Sequence, residues 1–249
     1  MTKVVAIHQP NFFPWLGYFD KIARADVFIA LDDVQISKTG GGWCNRVKLF
    51  IAGEPRWVTA PLQRNYSGVR AIREIAFDDR KPWRENLLKT LRANYARAPH
   101  FNEASALLHP LILNECPDLA GYNLNAIRGI ATALSISPEK IRLASELTST
   151  GTATERLIEL TKGVGGNAYM CGGGAGGYQE DALFEAAQIG LIYQNFAVKS
   201  YPQFWEGAFV AGLSIIDALM HLGVAATADF LRSGTPSAPR SEPELPQSL

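Results

Sequence analysis

Val4 to Ile7 form a short, unbroken apolar run rich in β-branched residues, closed off by Pro10. That pattern suits a strand buried on both faces of a parallel sheet. After the Pro-rich loop, Trp15, Tyr18, Phe19, Ile22 and Ala23 recur at helical spacing, and Val27 to Leu31 give a second buried run. The order strand, loop, helix, strand predicts a right-handed crossover unit.

The pattern then changes. "WCNRVKLF", "RWVTAPL" and "AIREIAF" are short alternating segments between Gly- and Pro-containing turns, which predicts a β-rich flap over residues 36–76. Residues 82–134, with "RENLLKTLRANYA" and "LNAIRGIATAL", carry apolar positions three and four apart and predict a helical insertion. Alternation returns with "KIRLASEL" and "AYMCGG" and "LIYQNF" as strands, "ATERLIELTKGV" and "QEDALFEAAQIG" as helices, and "FVAGLSIIDALMHLG" as a buried helix. The expectation is an α/β protein with a mostly parallel, Rossmann-like sheet, one domain over residues 1–232, and a Pro- and Ser-rich disordered tail over 233–249.

Composition narrows the function classes. An apolar fraction of 47% supports a sizeable core, and 24 basic against 24 acidic residues leave no net field for nucleic acid. Cys44, Cys116 and Cys171 have no zinc spacing and read as reduced thiols. The N-terminus lacks a signal-peptide pattern and no run is long enough to span a membrane, so a cytoplasmic protein is expected. No nucleophile elbow, zincin or kinase signature occurs, and neither Cys44 nor Cys171 has a neighbouring base in the pattern.

Ligands of open α/β sheets sit at the carboxyl ends of strands, and four such places carry unusual residues. At the first, His8 suits acid, base or neutral donor work, Gln9 and Asn11 offer amides, and Trp15 and Tyr18 offer faces; His8 could equally tie down its own loop. At the second, Asp32 and Asp33 are read either as a turn or as holding a ribose hydroxyl, an amine or magnesium, the one candidate cofactor, with Gln35 beside them. At the third, Asn45 and Arg46 supply amide and guanidinium donors near Trp43 and Trp57, or form an ordinary solvated hairpin. At the fourth, Thr150, Gly151, Thr152 and Thr154 open a helix and could bind phosphate, cap the helix, or both. The Gly-rich "CGGGAGGY" permits close approach to a ligand and leaves Tyr178 as its main side-chain contact; it has neither Walker nor strict dinucleotide spacing.

Six ordered blocks, "IHQPNFFPWLGYFDKIARADVFIALDDVQ", "WCNR", "WVTAPL", "SELTSTGTATERLIEL", "AYMCGGGAGGY" and "YPQFWEGAFVAGLSIIDALMHLG", resemble the WbqC-like protein family over Ala6 to about Leu222. The resemblance implies a setting in O-antigen or other surface-polysaccharide biosynthesis. A remoter similarity is to HIGH-type nucleotidylyltransferases, with Trp15 and Tyr18 standing where the two motif histidines would be. Those imidazoles stabilise a transferring phosphate, so ordinary adenylyl transfer is not expected.

The resulting expectation is a transferase that modifies a nucleotide-activated amino sugar or small metabolite with an acyl or aminoacyl group. His8 would be general base or transition-state donor, Asp32 would orient the amine or a metal, and Arg46 with the Thr150–Thr154 turn would bind phosphate. Trp15, Tyr18 and Trp57 would line the sugar or base pocket. The alternatives are a divergent nucleotidyl transferase or ATP-dependent ligase, and a non-catalytic pathway subunit.

Overall fold

The computed structural model describes residues 1–36, 42–172, 180–205 and 207–233. The Pro- and Ser-rich tail beyond Ser233 and the Gly-rich stretch containing Tyr178 lie outside the described residues.

The chain runs β1 (Val4–His8), α1 (Leu16–Arg24), β2 (Val27–Ala30), β3 (Arg46–Ile51), β4 (Glu54–Thr59), α2 (Trp83–Tyr95), α3 (Phe101–Ile112), α4 (Leu119–Ala133), β5 (Ile141–Leu143), α5 (Ala153–Gly163), β6 (Ala168–Cys171), α6 (Asp181–Ala186), β7 (Gly190–Tyr193) and α7 (Ile215–Arg232). Five strands form one sheet in the order β5-β2-β1-β6-β7, every pairing parallel. The chain builds outward from β1 through β2 to β5, then returns to the other side of β1 for β6 and β7. This is a doubly wound, Rossmann-like arrangement, and its direction reverses between β1 and β6.

Strand periodicity sorts the core into two faces. Val5, Ile7, Ile29, Tyr169 and Cys171 pack with Leu160 of α5 and Phe184 of α6. Ala6, Phe28, Ala30 and Met170 join the larger cluster containing α1, α7 and the helices α2–α4. The connection from α5 to β6 runs hard against β1: a Cβ on Gly166 would lie 2.3 Å from Val5 Cγ2. His8 shares the parity of Ala6, so its side chain leaves β1 on the α1 side.

Strands β3 and β4 pair antiparallel, from Arg46↔Thr59 to Ile51↔Glu54. "AIREIAF" is not a third strand: Ile72–Glu74 make a 3-10 turn held beside residues 32–36, with Ile72 N–H donating to Val34 O and Arg73 N–H to Asp32 O. Alternating apolar residues here satisfy a turn wedged into the core, since Ile72 and Ile75 are both buried. Among the described residues no helix is long and apolar enough to cross a membrane.

The loop between β1 and α1 is part of the core. Phe12 and Phe13 are buried against Tyr122, and Phe12 against Trp83 as well, so these two rings serve packing rather than docking. The loop backbone is tied from three directions. Asn123 Nδ2 donates to Pro10 O at 2.8 Å and to Cys44 O at 2.7 Å. Ser214 Oγ donates to Phe13 O at 2.7 Å and accepts from Ile216 N–H as the cap of α7. Phe12 N–H donates to Trp43 O, and Ile215 N–H to Pro14 O.

Asn123 is fully buried. Its truncation to Ala strips two loop carbonyls of their partners and leaves a void, so Asn123→Ala is expected to cost about 2–4 kcal/mol in urea or thermal unfolding at pH 7. A change within ~0.5 kcal/mol would show that α4 does not hold the loop.

Candidate functional site

A cavity of about 400 Å³ opens at the carboxyl ends of β1, β6 and β7, where the sheet order reverses. Its walls include His8, Trp15, Tyr18, Lys21, Gly172, Gln194 and Phe196. Local sequence explains how the walls form. Trp15 precedes α1 and folds back over Gly17, where a Cβ would meet the indole at 2.3 Å. Phe196 then meets the indole edge-on at 5.4 Å.

The floor is fixed by one carbonyl. Gln9 O accepts from Tyr18 OH at 3.0 Å and lies 3.1 Å from His8 Nδ1. A carbonyl only accepts, so Nδ1 carries the proton and Nε2 is left with a free lone pair. Nε2 has no hydrogen-bond partner among the described residues. The Tyr18 ring packs edge-on against the imidazole at 5.1 Å.

Lys21 is a residue of this site that the sequence did not single out. It is 5% exposed, yet no hydrogen bond or ion pair engages its amine among the described residues. The adjacent Asp20 is occupied elsewhere, its Oδ2 accepting from Gln194 Nε2 at 2.8 Å and from Arg24 Nη1 at 3.3 Å. Burial, ahead of the raising fields of Cys171 and Asp20, pushes the Lys21 pKa down to about 8. Burial and then the Lys21 charge push His8 down to about 4, against a smaller raising effect from the Gln9 carbonyl. At pH 7 the pocket therefore holds a neutral imidazole beside a desolvated ammonium.

The other expected residues lie elsewhere. Asp32 is buried, accepting from Ser145 N–H at 3.0 Å and Ser145 Oγ at 2.6 Å, which ties the end of β2 to the chain after β5. Asp33 pairs with Arg156 of α5 at 2.6 Å. Both Asp32 oxygens are thus engaged, whereas Asp33 Oδ1 is buried with no hydrogen-bond partner among the described residues. Among the described residues no three His, Cys, Asp or Glu side chains gather as a metal site. Gln35, Gly151 and Thr152 line a second cavity with Asp33 and Arg156.

In the turn expected to bind phosphate, the amides of Thr150 and Gly151 already donate to Glu159 Oε2, at 2.7 and 2.9 Å. Glu159 is thus an internal anion for this turn, and those bonds hold its carboxyl below the usual range. Thr154 is buried, and its Oγ1 accepts from Glu180 N–H. Arg46 lines neither cavity; its guanidinium stacks 4.3 Å from the Trp57 ring on the hairpin, with Trp43 edge-on to Trp57. Asn45 is a buried strut, donating to Ala60 O at 3.0 Å. Gln9 Oε1 and Asn11 Oδ1 face Cys44 Sγ, at 3.6 and 3.9 Å. Burial raises the Cys44 thiol to about 12, which removes it as a nucleophile at neutral pH. Tyr178 lies outside the described residues. Of the residues singled out from the sequence, the structure gathers His8, Trp15 and Tyr18 into the switch-point cavity.

The sequence pattern of the WbqC-like protein family matches residues 9–229. The uncharacterized protein Rv1507c of Mycobacterium tuberculosis (strain ATCC 25618 / H37Rv) is 33% identical over 234 residues, covering 92% of this chain and 98% of that protein. No solved structure matches the chain.

The depressed His8 pKa has a consequence for stability. From the ordinary 6.5 down to about 4, the unfolded chain takes up a proton that the folded chain refuses. Stability fully present above pH 6.5 is therefore lost as pH falls through that window. His8→Gln is expected to remove about 2 kcal/mol of this acid loss, read from urea unfolding at pH 7 and pH 4.5. Equal pH slopes for the two proteins would show that the imidazole is not held neutral.

Proposed function

Because the chain belongs to the WbqC-like protein family, we propose that its switch-point cavity is the seat of group transfer to a small, nucleotide-linked metabolite. The reaction is acyl or aminoacyl transfer to an amino sugar, in surface-polysaccharide or a related biosynthesis. One observation carries the reading: a neutral imidazole, oriented by a backbone carbonyl and with no hydrogen bond at Nε2 among the described residues, lines an aromatic-walled cavity at the end of the central strand.

Attack of an amine on an acyl carbon generates a nitrogen that must lose a proton. His8 Nε2 takes that proton while the Nδ1 bond to Gln9 O steadies the imidazolium. The bond from the acyl carbon to its donor then breaks, and the donor leaves with the electron pair and takes the proton back from His8. In the free protein burial and, after it, the Lys21 charge weaken this base. An anionic substrate beside Lys21 cancels that field, so basicity rises when the substrate binds. Trp15 and Phe196 give the sugar or base apolar faces and exclude water. Trp15 and Tyr18 lack the positive charge with which paired histidines stabilise a transferring phosphate, which favours acyl over adenylyl chemistry.

The test is a mass-spectrometric screen of nucleotide-linked amino sugars with acyl and aminoacyl donors. Transfer by the native protein is expected, with His8→Gln slower by ~10²-fold or more while its unfolding midpoint at pH 7 is kept. Pyrophosphate release that depends on a nucleoside triphosphate would replace this reading with nucleotidyl transfer or ligation. Binding with no turnover in every mixture would replace it with a non-catalytic subunit.

A further inference from the structure

The α5 turn is not free to receive an anion, because Glu159 fills it from within. The switch-point cavity presents the opposite situation. Lys21 lies in the last turn of α1 and is buried, and no hydrogen bond or ion pair engages its amine among the described residues. The amine is not sealed off: Lys21 and Gly172 both line the cavity, and a Cβ on Gly172 would come within 3.4 Å of Nζ. The glycine thus keeps a gap open beside the cation, at the end of β6.

We propose that Lys21 is the phosphate receptor of this protein, seating a phosphate or diphosphate group of the substrate between its amine, the His8 ring and Gly172. This rests on the reading of the substrate as nucleotide-linked and adds where its phosphate is held. Three features favour phosphate. A lone buried ammonium meets phosphate as a point charge with rotatable donors, whereas planar carboxylates are best matched by the fork of an arginine. No arginine lines the cavity among the described residues, Arg24 being turned to Asp20 and Gln194 O. The site lies at the reversal point of the sheet, the place where doubly wound folds hold phosphate-bearing ligands.

The groups that set the charge here are Lys21, Asp20 and Arg24 on α1, His8 on β1 and Cys171 on β6, with Tyr18 packed on His8. Phosphate between Lys21 and His8 raises the pKa of both. Binding therefore draws in protons on the acid side, and affinity falls as pH rises through about 8, where the free amine loses its charge.

The probes are inorganic pyrophosphate and uridine diphosphate, titrated calorimetrically into the whole protein. Lys21→Met is expected to weaken both by roughly 30-fold or more, the loss of one charge-assisted contact, and Lys21→Arg by less. Pyrophosphate is also expected to protect Lys21 of the native protein from acetic anhydride at pH 8, read by peptide mass spectrometry, so the result does not hang on a variant that misfolds. Absence of binding, equal binding by Lys21→Met, or equally tight Lys21-dependent binding of malonate would overturn the proposal. The two readings separate cleanly. Transfer activity that survives in Lys21→Met removes the phosphate site alone; Lys21-dependent pyrophosphate binding without transfer in any mixture keeps the site and removes the transferase.

Discussion

Everything at this site depends on how the chain leaves its central strand. From Gln9 to Trp15 the backbone turns beneath an aromatic core, where each unpaired polar group would cost more than a surface contact returns. The fold meets that demand with distant partners: Asn123 for Pro10 O, Ser214 for Phe13 O, Trp43 O for the Phe12 amide. Gln9 O is satisfied by the two side chains that floor the cavity, Tyr18 and His8. The same accounting that stabilises the loop therefore selects the His8 tautomer. Packing and chemistry share one carbonyl.

Against this well-satisfied surround, Lys21 is an anomaly with a direction. A buried ammonium with no hydrogen bond or ion pair among the described residues lowers stability, and its neighbour Asp20 is spent on Arg24 and Gln194. Desolvation opposes the charge of both Lys21 and His8, and the Lys21 charge further disfavours protonation of His8. One negative charge placed between them relieves desolvation and repulsion together. An anionic ligand, and not a neutral one, would offset that combination, which is the physical basis of the proposed phosphate site.

The sheet was legible because its information is local. The runs at Val4–Ile7 and Val27–Leu31, the helical spacing from Trp15 to Ala23 and the later alternation each state their own period, and each lies where the corresponding β1, β2, α1 and later elements form. "AIREIAF" misleads because alternation also fits a turn pressed into the core between residues 32–36 and α4. The site was legible at His8, Trp15 and Tyr18, since composition at a strand end is visible. It was hidden where role depends on a remote partner. Ser145 lies 113 positions from Asp32, and no spacing rule links them. Glu159 reads as an ordinary helix carboxylate until the turn at Thr150 folds onto it. Lys21 had one available signal: it stands three residues after Tyr18 and one before Ile22, inside the apolar stripe of α1 rather than opposite it.

That placement bears on the two aromatics that stand where the remoter nucleotidylyltransferase similarity puts histidines. Trp15 and Tyr18 both line the cavity, with no positive charge at either position. One helical turn beyond Tyr18, Lys21 returns a positive charge to the same face of α1. A lysine in an apolar wall supplies a fixed charge for holding phosphate, whereas imidazoles near neutral pH also exchange protons with a transferring group. On the proposed reading, proton exchange in this cavity is left to His8, on a different element, its basicity lowered by burial and then by the Lys21 charge. On that reading, separating the holder of the charge from the carrier of the proton suits a reaction on the group next to the phosphate better than one at its phosphorus.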